Sequence, residues 1–207
     1  MKTKLNLPLK NLSLLFFASL FVLSAQAATI ISKAVTGSWS STSTWVGGVV
    51  PASTDSVVIV SGATVGTGTN QSCGAINIMG TLTLTGGNFL TIAGDGVSSF
   101  GSLAGTGVLG YASIGNRNIS LTGNYTFNGT SGNSGQNITF NGTGNQILLG
   151  VISTGTAGTG VVTINKTSGQ VLLGGNMVLN NQGLTVTSGV FNPNGYLLTT
   201  SILNIGA

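Results

Sequence analysis

The sequence predicts an all-β chain, a right-handed parallel β-helix of roughly seven coils behind an N-terminal tryptophan-containing cap. Three observations carry this. An apolar–polar–apolar triplet recurs with a period of about 21 residues. Glycine and asparagine punctuate the chain every few residues, and no stretch beyond residue 27 has a helical hydrophobic period.

Residues 1–27 stand apart. Lys2, Lys4 and Lys10 precede an apolar run from Leu12 to Leu23, and Ala25-Gln26-Ala27 has the small-x-small form of a cleavage site. That order is the pattern of a secretory signal peptide cleaved after Ala27, and the run is too short for a spanning helix. The expected mature chain is secreted or displayed on the outer cell surface, with no transmembrane segment.

Removing the leader changes the charge balance. The formal charge of +4 owes most to the three leader lysines. Lys33, Arg117 and Lys166 then face Asp55 and Asp95, too scattered for the clustered basic patch that nucleic-acid binding needs.

Residues 28–56 read as the cap and lead-in. Trp39 and Trp45 both fall here, and Pro51 cannot donate to a ladder. A solenoid must cover the open end of its core, and two indole rings have the bulk to do so. The same rings could instead stack on sugars.

From Val57 onward the triplets are Val57-Val58-Ile59, Ile76-Asn77-Ile78, Ile119-Ser120-Leu121, Ile138-Thr139-Phe140, Val162-Thr163-Ile164, Leu184-Thr185-Val186 and Leu203-Asn204-Ile205. Alternation over three to five residues marks a strand with one buried side. The interval from Ile76 to Ile119 is about two periods, which places a degenerate copy near Val97-Ser98-Ser99. Further strands are expected at Leu82-Thr83-Leu84, Leu90-Thr91-Ile92, Tyr125-Thr126-Phe127 and Met177-Val178-Leu179. Turns are expected at Gly86-Gly87-Asn88, Asn128-Gly129, Asn141-Gly142, Gly174-Gly175-Asn176 and Asn194-Gly195, where glycine and asparagine tolerate positive φ. The repeats therefore span 57–207, and the last coil, ending at Ala207, is incomplete. Its uncovered apolar end would favour self-association or continuation into further chain.

The run from Trp39 to Gly62 can be written W-x5-W-x-G-G-x-x-P-x3-D-x-V-x-I-x-x-G. It resembles the N-terminal module of large bacterial secreted and surface proteins with β-helical repeats, adhesin-like and of the type IX-secreted kind, and is similar to the eight-glycine domain family. The text from Gly183 to Tyr196 resembles the repeats of the same proteins. The resemblance implies export and extracellular display, not a defined ligand.

Chemistry is scarce. There is no histidine, so neither a Ser–His triad nor an ordinary zinc site can be written. Beyond the leader the only carboxylates are Asp55 and Asp95, some two coils apart, whereas glycosidic cleavage ordinarily needs two acids facing one bond. Gly94-Asp95-Gly96 has too little charge for calcium. No catalytic, cofactor or metal-binding residue is assigned, and the chain is expected not to be an enzyme. Cys73 is alone and cannot form an internal disulfide, and it reads as a buried or semi-buried structural residue, the alternative being an intermolecular bridge or a reactive thiol.

Stacking the triplets places Asn77, Ser120, Thr139, Thr163, Thr185 and Asn204 on one outward face. These hydroxyls and amides could bond one another between coils, or they could form a flat polar surface for glycans or, less suitably, ice. The leading expectation is a non-enzymatic, adhesin-like β-helix whose Thr/Asn-rich face meets glycans or cell-surface and matrix components. The alternatives are a self-assembling fibre or matrix component, and an accessory N-terminal region of a larger carbohydrate-active protein.

Overall fold

The computed structural model describes residues 27–85, 87–94, 103–111, 117–131, 136–152, 160–179 and 181–206. Residues 1–26, the degenerate copy at Val97-Ser98-Ser99 and Asp95 lie outside them.

Short strands pair in parallel with the strands one coil before and one coil after, and the chain winds as a β-helix. A typical coil holds three strands, so three ladders enclose the core. The first ladder comprises β1 (Thr29–Ile31), β3 (Ser56–Ile59), β6 (Ala75–Ile78), β9 (Leu103–Gly105), β12 (Tyr125–Phe127), β15 (Gln146–Leu148) and the end of β16 (Val161–Leu173). The second runs through β2 (Thr36–Ser38), β4 (Thr64–Gly66), β7 (Thr81–Leu84), β10 (Val108–Tyr111) and β13 (Thr130–Ser131), with β17 (Met177–Val178) and β19 (Leu198–Thr199) paired separately. The third contains β5 (Gln71–Cys73), β8 (Phe89–Ile92), β11 (Arg117–Leu121), β14 (Gln136–Phe140), the start of β16, the start of β18 (Gly183–Asn192) and β20 (Ile202–Ile205). β16 and β18 bend from the third ladder into the first, with register shifts between Ile164 and Gln170.

Alternation explains the core. Inward residues of the third ladder form two continuous columns. One is Leu90–Ile119–Ile138–Val162–Leu184–Leu203; the other is Cys73–Ile92–Leu121–Phe140–Ile164–Val186–Ile205. All are buried except the last of each, Leu203 and Ile205, which are 54% and 72% exposed. Ile30, Val57, Ile76, Leu103, Tyr125, Leu148 and Leu173 form the matching column of the first ladder. Each fully buried aliphatic or aromatic side chain contributes roughly 1.5–3 kcal/mol, and a long file of them offsets the entropy of ordering so glycine-rich a chain.

Asparagines tie the corners. Asn70, Asn124, Asn145 and Asn176 each accept, through Oδ1, the backbone N–H of a residue one coil later: Phe89, Ile147, Gln170 and Leu197. Glycines at the first-to-second corner serve close approach instead. A Cβ on Gly80 would stand 2.2 Å from Val60 O, one on Gly107 2.1 Å from Gly80 O, and one on Gly129 2.0 Å from Gly107 O.

The residues expected to form the cap lie at the end made by β1 and β2, the terminal strands of their ladders. Two 3₁₀ turns, Thr42–Thr44 and Val46–Gly48, bring Trp39 and Trp45 together edge-to-face, with ring centroids 5.4 Å apart. Trp45 Nε1 donates to Trp39 O at 2.7 Å, and both rings are buried, as is Pro51.

Candidate functional site

The third ladder places the middle residues of its triplets on the outside, because successive side chains alternate across a strand. Ladder register then stacks Ser72, Thr91, Ser120, Thr139, Thr163, Thr185 and Asn204 in one file. Successive members are separated by the roughly 4.8 Å spacing of neighbouring strands. Asn204 is exposed and the rest are partly exposed.

Five of the six residues expected on this face are therefore together. Asn77 is not among them: it pairs with Val58 and Ala104 on the first ladder. Two members were missed, Ser72 and Thr91. Leu90-Thr91-Ile92 has the right alternation, but its distance from Ile119 departs from the period because the intervening coil is long. Asn118 pairs with Phe89 on one side and with Asn137 on the other, joining coils of unequal length.

The hydroxyls of the file differ in their partners. Ser120 Oγ accepts from Asn141 Nδ2 at 2.9 Å. Among the described residues, no hydrogen bond occupies the hydroxyls of Thr91, Thr139, Thr163 or Thr185. The amides beside them behave differently: Asn137 Nδ2 donates to Asn118 Oδ1 at 3.0 Å, and Asn137 Oδ1 accepts from Val161 N at 3.1 Å. Amides hold the coils together while the threonine hydroxyls face outward.

No file residue is ionisable, and Lys166, on β16, is turned inward. Lys166 is buried, its Nζ donating to Gly142 O, to Gly144 O at 2.9 Å and to Gln146 Oε1 at 2.5 Å. Burial lowers its pKa below the usual lysine value.

Two shallow depressions accompany the other ladders. One, of about 350 Å³, lies along the glycine corner and is lined by Thr64, Thr81, Thr106, Val108 and Thr130. The other, of about 340 Å³, surrounds Asn77, where Ala75 and Ala104 leave room between Ser56, Asn124 and Thr126.

Trp39 and Trp45 are packed into the cap, and their buried faces are not presented to a ligand. Asp55 is buried, with both carboxylate oxygens engaged: Oδ1 accepts from Ala28 N at 2.9 Å and Oδ2 from Ala52 N at 2.8 Å. Cys73 is buried at the head of its core column, and its thiol is pushed up to about 12, first by burial and then by the Asp55 charge. No group of three or more His, Cys, Asp or Glu side chains that could hold a metal ion occurs among the described residues, and none of their helices is long and apolar enough to cross a membrane.

Compared with protein-family models, with curated proteins and with solved structures, the chain matches none of them.

Proposed function

We propose that this is an exported, non-enzymatic β-helix of the adhesin-like kind, whose third-ladder face, Ser72 to Asn204, binds glycans at a cell surface or in a matrix. The observation that carries the reading is the in-register file of Thr91, Thr139, Thr163 and Thr185, whose hydroxyls have no hydrogen-bond partner among the described residues. Each hydroxyl offers one donor and two acceptor sites to water or to a sugar hydroxyl. The absence of formal charge along the file suits a neutral polysaccharide better than a phosphate or an acidic peptide. Export follows from the leader, and the resemblance of the Trp39–Gly62 run to surface proteins points the same way.

The test is a triple substitution, Thr139→Ala, Thr163→Ala and Thr185→Ala, beside a single Thr163→Lys, each assayed for binding to neutral polysaccharides and for its melting curve. Binding lost with the melting curve kept supports the proposal. Binding unchanged in both variants, or a wild-type protein that retains no polysaccharide, refutes it.

A second reading, self-assembly into fibre or matrix, is favoured by one observation. In β20 all four side chains are exposed, although Leu203 and Ile205 continue the buried columns, and among the described residues the strand pairs only with β18. Such an edge is a template for another strand, whether of a second copy or of further chain.

A further inference from the structure

The carboxylate of Asp55 has a partner that the adhesion reading does not use. Asp55 lies in the turn between Pro51 and β3 and is only 7% exposed. Its Oδ2 is held by Ala52 N, and its own N–H donates to Ala52 O at 3.1 Å. Its backbone carbonyl accepts Gly74 N from the next coil at 2.7 Å. The carboxylate is thus fixed in place, and its remaining oxygen, Oδ1, accepts the N–H of Ala28. Ala28 is held at both ends, because its carbonyl accepts Ser56 N at 2.8 Å, one step before the β1–β3 register begins at Thr29 and Ser56.

Ala28 is also the residue that cleavage after Ala27 would make the first of the chain. We propose that Asp55 is a built-in receptor for the amino terminus created by that cleavage. The inference rests on the export reading. In the hydrolysis, water adds across the Ala27–Ala28 peptide bond: its hydroxyl goes to the Ala27 carbonyl carbon and a proton goes to the Ala28 nitrogen. At neutral pH the new Ala27 carboxyl gives up its proton and the amine takes one up. A neutral amide donor becomes an ammonium, whose ordinary pKa is about 7.7–8.0, and one of its N–H bonds already points at Oδ1. The hydrogen bond becomes a charge-assisted ion pair at a mostly buried acid, which is stronger than its neutral counterpart. Removing the leader therefore fastens the first strand, and through Ser56 and Gly74 the first coils, at the tryptophan-capped end. The device is exact to one residue. A chain beginning earlier keeps a neutral amide at this position, and one beginning at Thr29 has no nitrogen there.

The experiment exports the full-length chain from a bacterial host, alongside a version with Gly-Ser inserted after Ala27, each with and without Asp55→Asn. Mass spectrometry of the exported products identifies the first residue. Melting temperature and the rate of α-amine labelling by an amine-reactive ester are then compared. The expected product begins at Ala28, melts about 2–4 °C above the inserted version, and has its amine labelled several-fold more slowly. In the Asp55→Asn background both differences collapse. A product beginning elsewhere overturns the cleavage reading. A product beginning at Ala28 overturns the Asp55 inference if its amine labels as fast as that of the inserted chain, or if the melting difference persists unchanged in Asp55→Asn. If Asp55→Asn does not fold, the labelling and melting comparison in the parent background decides by itself.

Discussion

Gly107→Ala tests whether the first-to-second corner is held by backbone packing. The added Cβ would lie 2.1 Å from Gly80 O and 2.7 Å from Met79 C, atoms of the preceding coil's main chain that no rotamer change can move aside. Ordinary contact needs more than 3 Å, so the two coils must part by about 1 Å against a spacing of roughly 4.8 Å. Three hydrogen bonds cross that gap or anchor its sides: Gly107 N to Ile78 O at 2.8 Å, Val108 N to Gly80 O at 2.7 Å and Thr130 N to Gly107 O at 2.9 Å. Losing them at about 0.5–1.5 kcal/mol each gives a cost of up to about 1.5–4.5 kcal/mol, a large share of a typical 5–15 kcal/mol stability. The assay is urea unfolding followed by far-ultraviolet circular dichroism, with Gly66→Ala as control. Gly66 lies in β4 with no atom within 4 Å of the position of an added Cβ, so alanine there should leave the midpoint unchanged or raise it. A Gly107→Ala midpoint equal to that of Gly66→Ala would refute the reasoning.

Three other outcomes are expected. The thiol of Cys73 ordinarily titrates near 9.0 and in the fold holds its proton to about 12. Between those values the unfolded chain binds fewer protons, so stability falls as pH rises from about 9 to 12, by an amount on the order of a few kcal/mol. Cys73→Ala should be less stable than the parent at pH 7 and should lose less between pH 9 and 11, and parallel melting curves across that range would contradict this. Trp45→Phe removes the donor to Trp39 O and leaves a void in the cap, costing about 2 kcal/mol, and hydrogen exchange should quicken first in β1 and β2 rather than in β14. Leu203→Asp with Ile205→Asp should leave the melting temperature within a few degrees, because both side chains are already exposed, while abolishing any concentration-dependent growth in sedimentation velocity. Growth that survives both changes would place assembly elsewhere.

The two tryptophans illustrate what residue chemistry can foretell. Large rings beside a proline at the start of a solenoid suit an end that must be covered, and here both are buried against each other beside the first strands. Cys73, the single cysteine and so without an internal disulfide partner, reads as a buried or semi-buried structural residue, and it is buried. Lys166 is the counterexample: a lysine between asparagine and threonine carries no sign of burial in its neighbours. Its cage of Gly142, Gly144 and Gln146 comes from the preceding coil.

The sequence by itself determined the all-β class, the strand triplets and the approximate coil length, and it marked glycine and asparagine as turn residues, although of the described residues in the expected turns only Gly87, Asn194 and Gly195 take a positive φ. These are local properties: period-two alternation picks an inward side, and small or amide residues permit a turn, wherever the strand finally lies. Only the tertiary structure decided which ladder each triplet joins. It set Asn77 apart from Thr139, brought Ser72 and Thr91 into the file, and laid Ala28 against Asp55. The physical reason is that all three ladders share one alternation pattern. Assignment among them depends on the accumulated length of the turns, and coils of unequal length, such as those on either side of Ile119, break the sequence period while the ladders stay in register.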